Sequence, residues 1–249
     1  MAWQSVETIP ISVDSAITPR CADAVRSALL SRALPLARLV DGRAEPLATA
    51  SLLVDGSSLA LLTAAHVFDH ANAGDLAVPL PREGRWACLR SARTRVLAQP
   101  ERDIALVMIG DGATARRLRA NWTAVARSHL THRPVSGAVP CVYAVAGYPV
   151  SQVRRIDGSV YMKPLVLFTT LLDADRLAYA HTATRVDGLH IHTPELDGVS
   201  GALIWAVHED RGGECLLLGA AVQVAFMHGR YVRTEPLSQA ALSGHLRPH

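Results

Sequence analysis

Leu196-Asp197-Gly198-Val199-Ser200-Gly201-Ala202-Leu203-Ile204-Trp205 sets a serine between two glycines and feeds it into an apolar run. Two earlier stretches give that serine chemical company. Leu61-Leu62-Thr63-Ala64-Ala65-His66-Val67 carries a histidine at the end of an apolar, strand-like run, and Arg102-Asp103-Ile104-Ala105-Leu106-Val107 carries an aspartate at the head of another. A serine hydroxyl is a weak nucleophile at neutral pH, so an imidazole has to take its proton as the oxygen attacks a carbonyl. His66 is the candidate base. A carboxylate on the other ring nitrogen fixes the tautomer and stabilises the imidazolium that forms, and Asp103 is the candidate for that role. Negative charge on the attacked carbonyl oxygen calls for backbone N–H donors already aimed at it, and Gly198 and Ser200 are the candidates.

Outward from these motifs the chain reads as many short strands. Between 34 and 67, apolar runs separated by Asp41-Gly42, Glu45-Pro46 and Asp55-Gly56 are expected to be strands joined by tight turns. Val67-Phe68-Asp69-His70-Ala71 reads as a short helical turn. Further strands are expected over 75–80, 85–90, 93–98 and 104–109. Residues 110–137, with Gly110, Gly112, an arginine cluster and an alanine-rich segment, read as a connection. Strands resume over 140–149, 165–172, 177–181, 189–193, 202–207 and 215–225. Thr18-Pro19 opens an amphipathic helix that runs to about residue 32, and 238–244 reads as a closing helix. Short strands at this density favour a barrel or sandwich over a parallel α/β sheet.

The order His66, Asp103, Ser200, separated by 37 and 97 residues with a strand after each motif, resembles the trypsin/chymotrypsin-like serine proteases over about residues 34 to 235. The resemblance implies an all-β fold of two packed six-stranded antiparallel barrels with short N- and C-terminal helices. Residues 1–33 would form an N-terminal extension, 34–125 the first barrel, and 126–249 the second barrel and closing helix. His66 and Asp103 would come from the first barrel and Ser200 from the second, meeting in the cleft between them. It further implies a serine endopeptidase acting on protein or peptide substrates, with no cofactor and no metal. A catalytically silent relative, a two-barrel binding module with a collapsed oxyanion hole, is the alternative. A nucleophile elbow of the α/β-hydrolase type is a poor match: Ala202 stands at its last glycine, and only 49 residues follow Ser200.

Departures from the family's common pattern carry information too. Val199 stands where many activated members place an aspartate that pairs with a newly cut N-terminus, so control is expected from a regulatory protein partner or an ordering of the cleft. Pro194 falls at the inferred floor of the primary pocket with Glu195 beside it, and Val222, Gln223 and Val224 are expected to line the path to that pocket. Small or apolar residues are expected before the cut.

Composition narrows the partners. A net charge of +3 is spread over scattered arginines, and runs such as Ala115-Arg116-Arg117-Leu118-Arg119 are too short for a nucleic-acid groove. No stretch reaches the roughly 20 apolar residues of a membrane helix, and the N-terminus lacks a basic start with an apolar core. The expectation is a cytoplasmic protein without nucleic-acid or membrane partners. Cys21, Cys88, Cys141 and Cys215 show no C-x-x-C spacing and read as buried thiols. His190 and His192 share one face of a predicted strand but lack a third ligand, and His129, His132 and His208 read as solvated.

Overall fold

The computed structural model describes residues 7–8, 17–130, 142–157, 159–173, 175–179, 184–186, 189–191, 195–227 and 230–237. In chain order these form β1 (Glu7–Thr8), α1 (Pro19–Leu30), β2 (Ala33–Val40), β3 (Arg43–Asp55), β4 (Ser58–Ala64), β5 (Leu76–Leu80), β6 (Arg85–Cys88), β7 (Arg95–Gln99), β8 (Ile104–Met108), α2 (Gly112–Asn121) and β9 (Val125–Ala126). There follow β10 (Val142–Gly147), β11 (Val153–Ile156), β12 (Ser159–Met162), β13 (Leu165–Thr169), β14 (Leu171–Asp173), β15 (Arg176–Ala178), β16 (Thr184–Val186), β17 (Leu189–Ile191), β18 (Leu203–Glu209), β19 (Cys215–Met227) and β20 (Tyr231–Pro236).

Asp41 and Gly42 take φ of 49° and 75°, the left-handed pair a two-residue hairpin needs to match the twist of its strands. β2 and β3 therefore pair directly across the turn, Val40 opposite Arg43. Glu45-Pro46, expected as a turn, lies within β3. The chain absorbs the proline at an irregularity where Leu36 faces Ala48 and Ala37 faces Pro46, since a proline cannot donate to the ladder and is tolerated at a bulge.

The first sheet has the order β6-β5-β2-β3-β4-β8-β7, with β9 added parallel to β3; the second runs β1-β13-β10-β18-β19-β20-β15-β14. The architecture is mostly β: two large, mainly antiparallel sheets, two two-stranded antiparallel pairs (β11–β12 and β16–β17) and two α-helices. Each large sheet holds eight strands rather than the expected six. Two of the additions, β1 and β9, are two-residue parallel pairings.

Alternation explains why the second sheet reads as unbroken apolar sequence. Ala144, Ala146, Val166, Phe168, Leu203, Trp205 and Val207 face the larger core shared with the first sheet and α1. Val145, Leu165, Leu167, Ala202 and Ile204 face a second core. Successive side chains point to opposite faces, so a strand covered on both sides is apolar at every position.

α1 begins as expected, with the Thr18 hydroxyl accepting from Cys21 N and Pro19 in the first turn. It buries Cys21, Val25 and Leu29, one face at helical spacing. That face docks on the second sheet, and Cys21 is bonded to Cys215, Cα atoms 5.9 Å apart. This corrects the reading of both as thiols: 194 residues separate them in sequence, and only the docking of α1 on β19 brings them within bridging reach. Glu209 adds to the anchor, accepting from Thr18 N at 2.8 Å and from the Thr18 hydroxyl at 2.5 Å. Cys88 keeps its thiol, with Sγ 3.8 Å from Gly74 O, and Cys141 lies outside the described residues.

The connection after residue 110 contains a helix that the sequence reading missed. Asp111 caps α2 by accepting from Thr114 N at 2.6 Å, so the signal was an N-cap aspartate ahead of Gly-Ala-Thr-Ala-Arg-Arg-Leu-Arg. The hairpin β11–β12 was missed as well, although Asp157, at φ 49°, and Gly158 form the dipeptide typical of such turns. The closing helix expected over 238–244 lies outside the described residues. No helix among the described residues is long and apolar enough to cross a membrane.

Candidate active site

β4 and β8 pair antiparallel with Ala64 opposite Ile104, so His66, just past the end of β4, meets Asp103, just before the start of β8. The chain leaves β4 through a short 3-10 turn, Ala65–Asp69. Asp103 sits at φ 52° after another such turn, Pro100–Arg102; aspartate is among the few residues that adopt the left-handed region at low cost. This conformation brings its main chain and its carboxylate to the same partner. Asp103 O accepts from Ala65 N at 3.0 Å, Oδ1 from His66 N at 2.8 Å, and Oδ2 lies 2.8 Å from His66 Nδ1. A carboxylate can only accept, so Nδ1 carries the hydrogen and the neutral ring presents a lone pair at Nε2. The side chains are 36% and 28% exposed, open enough for a reactant to reach the ring. Arg102 reaches β20, donating to Glu235 at 2.7 Å and to Pro236 O, and so ties this corner to the second sheet.

The Ser200 turn is held from several sides. Val199 N donates to Leu196 O at 2.9 Å, Gly201 N to Gln223 O at 2.7 Å, and Ala202 N to Val199 O at 2.9 Å. Among the described residues, Gly198 N and Ser200 N make no backbone hydrogen bond. The amides on either side of Val199 are thus unspent while those of Val199, Gly201 and Ala202 are used, and Gly198 is buried and Ser200 half-buried. Buried N–H groups rarely go without an acceptor. Gly198 has φ 88°, and a Cβ there would lie 2.8 Å from Tyr148 O and 2.9 Å from Val150 Cγ2. The glycine is required by backbone conformation and by the close approach of 148–150.

Val199 anchors the turn by packing. It is 1% exposed and belongs to the second core with Leu196 and Ala202, and it packs so closely on Gly147 that a Cβ there would meet Val199 Cγ1 at 2.7 Å. An apolar anchor therefore holds the turn.

Thr49, on β3, is a site residue that sequence reasoning missed. Fully buried, its N–H donates to Ser200 O at 2.9 Å, and its hydroxyl donates to Gly198 O at 2.8 Å while accepting from Tyr148 N at 3.1 Å. Thr63 in turn donates to Thr49 O at 2.9 Å. One first-sheet residue thus grips the carbonyls of both Gly198 and Ser200. Its only signal in the sequence was a hydroxyl within an apolar strand. Thr49→Val leaves a buried acceptor and a buried donor unpaired, a cost of about 1–3 kcal/mol. The expected result is a drop of about tenfold or more in kcat with KM retained, largely restored in Thr49→Ser; unchanged kcat in Thr49→Val would remove the hydroxyl from the positioning of the turn.

Val222, Gln223 and Val224 are buried, with both backbone groups of Gln223 engaged by Gly201 and Ala202. β18 pairs β19 as far as Val222, whereas β20 continues along the other edge to Met227. Glu195 is exposed; burial first, and the charge of Glu195 second, push the Tyr179 phenol well above its usual range. Pro194 and the side chains of His190 and His192 lie outside the described residues, as does His132. His129 is exposed as expected. His208 is not solvated: it lies within β18, half-buried, with Nε2 enclosed and without a partner among the described residues, and burial lowers its pKa. The described residues contain no cluster of three or more His, Cys, Asp or Glu able to hold a metal ion.

No family model matches the chain, and no curated protein matches it. Among solved structures it is similar to one from work on the aromatic interactions that drive coupled folding and binding of the intrinsically disordered Sesbania mosaic virus VPg protein. The identity is 15%, over 86% of this chain and 90% of that chain, with a TM-score of 0.47.

Proposed function

We propose that the chain is a serine endopeptidase working through His66, Asp103 and Ser200. The observation that carries the reading is the conjunction of a histidine held twice by one carboxylate, its ring by Oδ2 and its backbone amide by Oδ1, with unspent amides on both sides of Val199 in the serine's own turn. Gly201 supports it further, because its Cα approaches Thr63 and Ala64 so closely that a Cβ would lie 2.2 Å from Thr63 Oγ1 and 2.8 Å from Ala64 N. The serine's turn is thereby packed against the strand that ends at His66.

In this mechanism Ser200 Oγ attacks the substrate carbonyl carbon as His66 Nε2 takes the hydroxyl proton, and the oxyanion is met by Gly198 N and Ser200 N. The tetrahedral intermediate collapses as the imidazolium returns the proton to the departing amine. Water, deprotonated by the same ring, then releases the acyl group and restores the serine. Beyond Gln223, whose own backbone groups are taken by Gly201 and Ala202, the edge of β19 that leaves β18 offers a place for an extended substrate to add as a strand, with Val222 and Val224 giving the neighbourhood an apolar character. Small or apolar residues before the cut follow from that character, and dominant cleavage after Arg or Lys, lost in Glu195→Gln, would reverse the assignment.

Ser200→Ala is expected to abolish both cleavage of a peptide library and covalent labelling by a fluorophosphonate, with the thermal melt unchanged, since a small side chain replaces a small one. Labelling that persists in Ser200→Ala would remove this serine from the chemistry. A wild-type chain that neither labels nor cleaves would turn the reading toward a two-barrel binding module.

A further inference from the structure

Arg43, Arg85 and Arg155 converge on one cavity of about 310 Å³, walled also by Trp86, Ser159 and Val160. The arginines come from separate places in the fold: Arg43 follows the β2–β3 turn, Arg85 opens β6, and Arg155 lies in β11. Arg155 donates to Ala44 O at 2.8 Å, which joins the β11–β12 hairpin to the first sheet and closes the wall. Arg85 shares Glu83 with Arg117, whereas among the described residues neither Arg43 nor Arg155 pairs with a carboxylate. Among the described residues no acidic side chain lines the cavity, although Asp41 and Asp157 occupy the neighbouring turns. Trp86 is half-buried and Val160 buried, so cationic forks surround an apolar, aromatic wall.

Guanidinium groups match carboxylates in bidentate geometry and stack on planar groups. The volume is about ten times the roughly 30 Å³ share of one water, which accommodates several carboxylate side chains rather than a single small anion. The walls also lead to the Ser200 turn. β3 runs from Arg43 to Thr49, roughly 20 Å of extended strand, and the β11–β12 hairpin follows closely on Val150, whose N–H holds Asp197 O at 2.7 Å.

We propose that this cavity docks an acidic stretch of a peptide chain, rich in Asp or Glu and about six positions from the bond that is cut. That the docked chain is a substrate rests on the peptidase reading; the docking itself does not.

The test uses the full chain carrying Ser200→Ala and a fluorescent hexapeptide of mainly Glu and Asp, with its Gln and Asn counterpart as control. The acidic peptide is expected to bind at least tenfold more tightly and to weaken as salt rises. Arg43→Gln combined with Arg155→Gln should cost at least tenfold in affinity, and the corresponding lysine pair should cost less. Should loss of the Arg155 bond to Ala44 unfold the double variant, Arg43→Gln alone, at an exposed position, should still weaken binding severalfold. Equal affinity for the two peptides, or full displacement by inorganic phosphate at equal concentration, would overturn the proposal. In the wild-type chain, kcat/KM should favour acid-extended over amide-extended substrates, with the ratio falling toward one in Arg43→Gln. Tight acidic binding in a chain that cleaves nothing would sink the peptidase reading and leave the docking site standing; cleavage indifferent to the extension would do the reverse.

Discussion

Asp103→Asn is expected to lower kcat about 10⁴-fold with little change in KM and little loss of stability. The two oxygens of Asp103 have separate partners, Oδ1 taking the His66 amide and Oδ2 facing Nδ1. An asparagine can keep the first bond with its carbonyl oxygen, which holds the backbone in place. Its NH2 group then faces Nδ1 and requires an acceptor there, so the ring hydrogen moves to Nε2. That is the nitrogen that must be unprotonated to take the proton of Ser200, and the wrong tautomer cannot do so. A steady-state assay alongside a thermal melt separates the outcomes. Activity within tenfold of wild type in a folded Asp103→Asn chain would show that this carboxylate does not set the tautomer; loss of fold together with activity would make its role structural.

Gly201→Ala is expected to be the most disruptive single methyl in the described chain, costing about 3 kcal/mol or more and taking activity with it. Two penalties coincide. At φ 88° any Cβ is strained, and here it would also lie 2.2 Å from Thr63 Oγ1 and 2.3 Å from Thr49 O, within the bonds that hold the serine's turn to the first sheet. Strain of this kind is worth about 1–3 kcal/mol and overpacking a similar amount. Gly42→Ala is the control, because Gly42 has φ 75° with nothing within 4 Å of the added carbon. It should show the conformational cost alone. Denaturant unfolding of both variants measures the difference; equal losses would mean that the close approach of Thr49 and Thr63 does not constrain residue 201.

Much of this was legible in the sequence because it depends on local chemistry. Alternating or continuous apolar runs, Asp41-Gly42 as a hairpin turn and Thr18-Pro19 as a helix start all act within a few residues, and each is found where the sequence put it. Glu45-Pro46 misled because proline usually breaks a strand, and only the partner strand could show that a bulge absorbs it. The α2 helix was hidden by low apolar content, its cap being the one local clue. Asp103 beside His66 was expected from order and spacing, and the register of β4 against β8 is what realises it.

Other features had no local signature, for a physical reason: they are contacts between parts of the chain that are remote in sequence. Cys21 meets Cys215 only because an amphipathic helix docks on the second sheet. Thr49 grips Gly198 and Ser200 across about 150 residues, and Val199 packs into space that Gly147 leaves open. The three arginines of the cavity are ordinary surface residues until three turns bring them together. By itself the sequence determined that the chain is built of short strands, most of their positions, and which His, Asp and Ser are the candidates for acyl transfer, since periodicity and side-chain chemistry are local properties. The tertiary structure alone decided which amides are left unspent, what clamps the serine's turn and where charge accumulates, since these depend on backbone groups and side chains meeting across the interface between the two sheets.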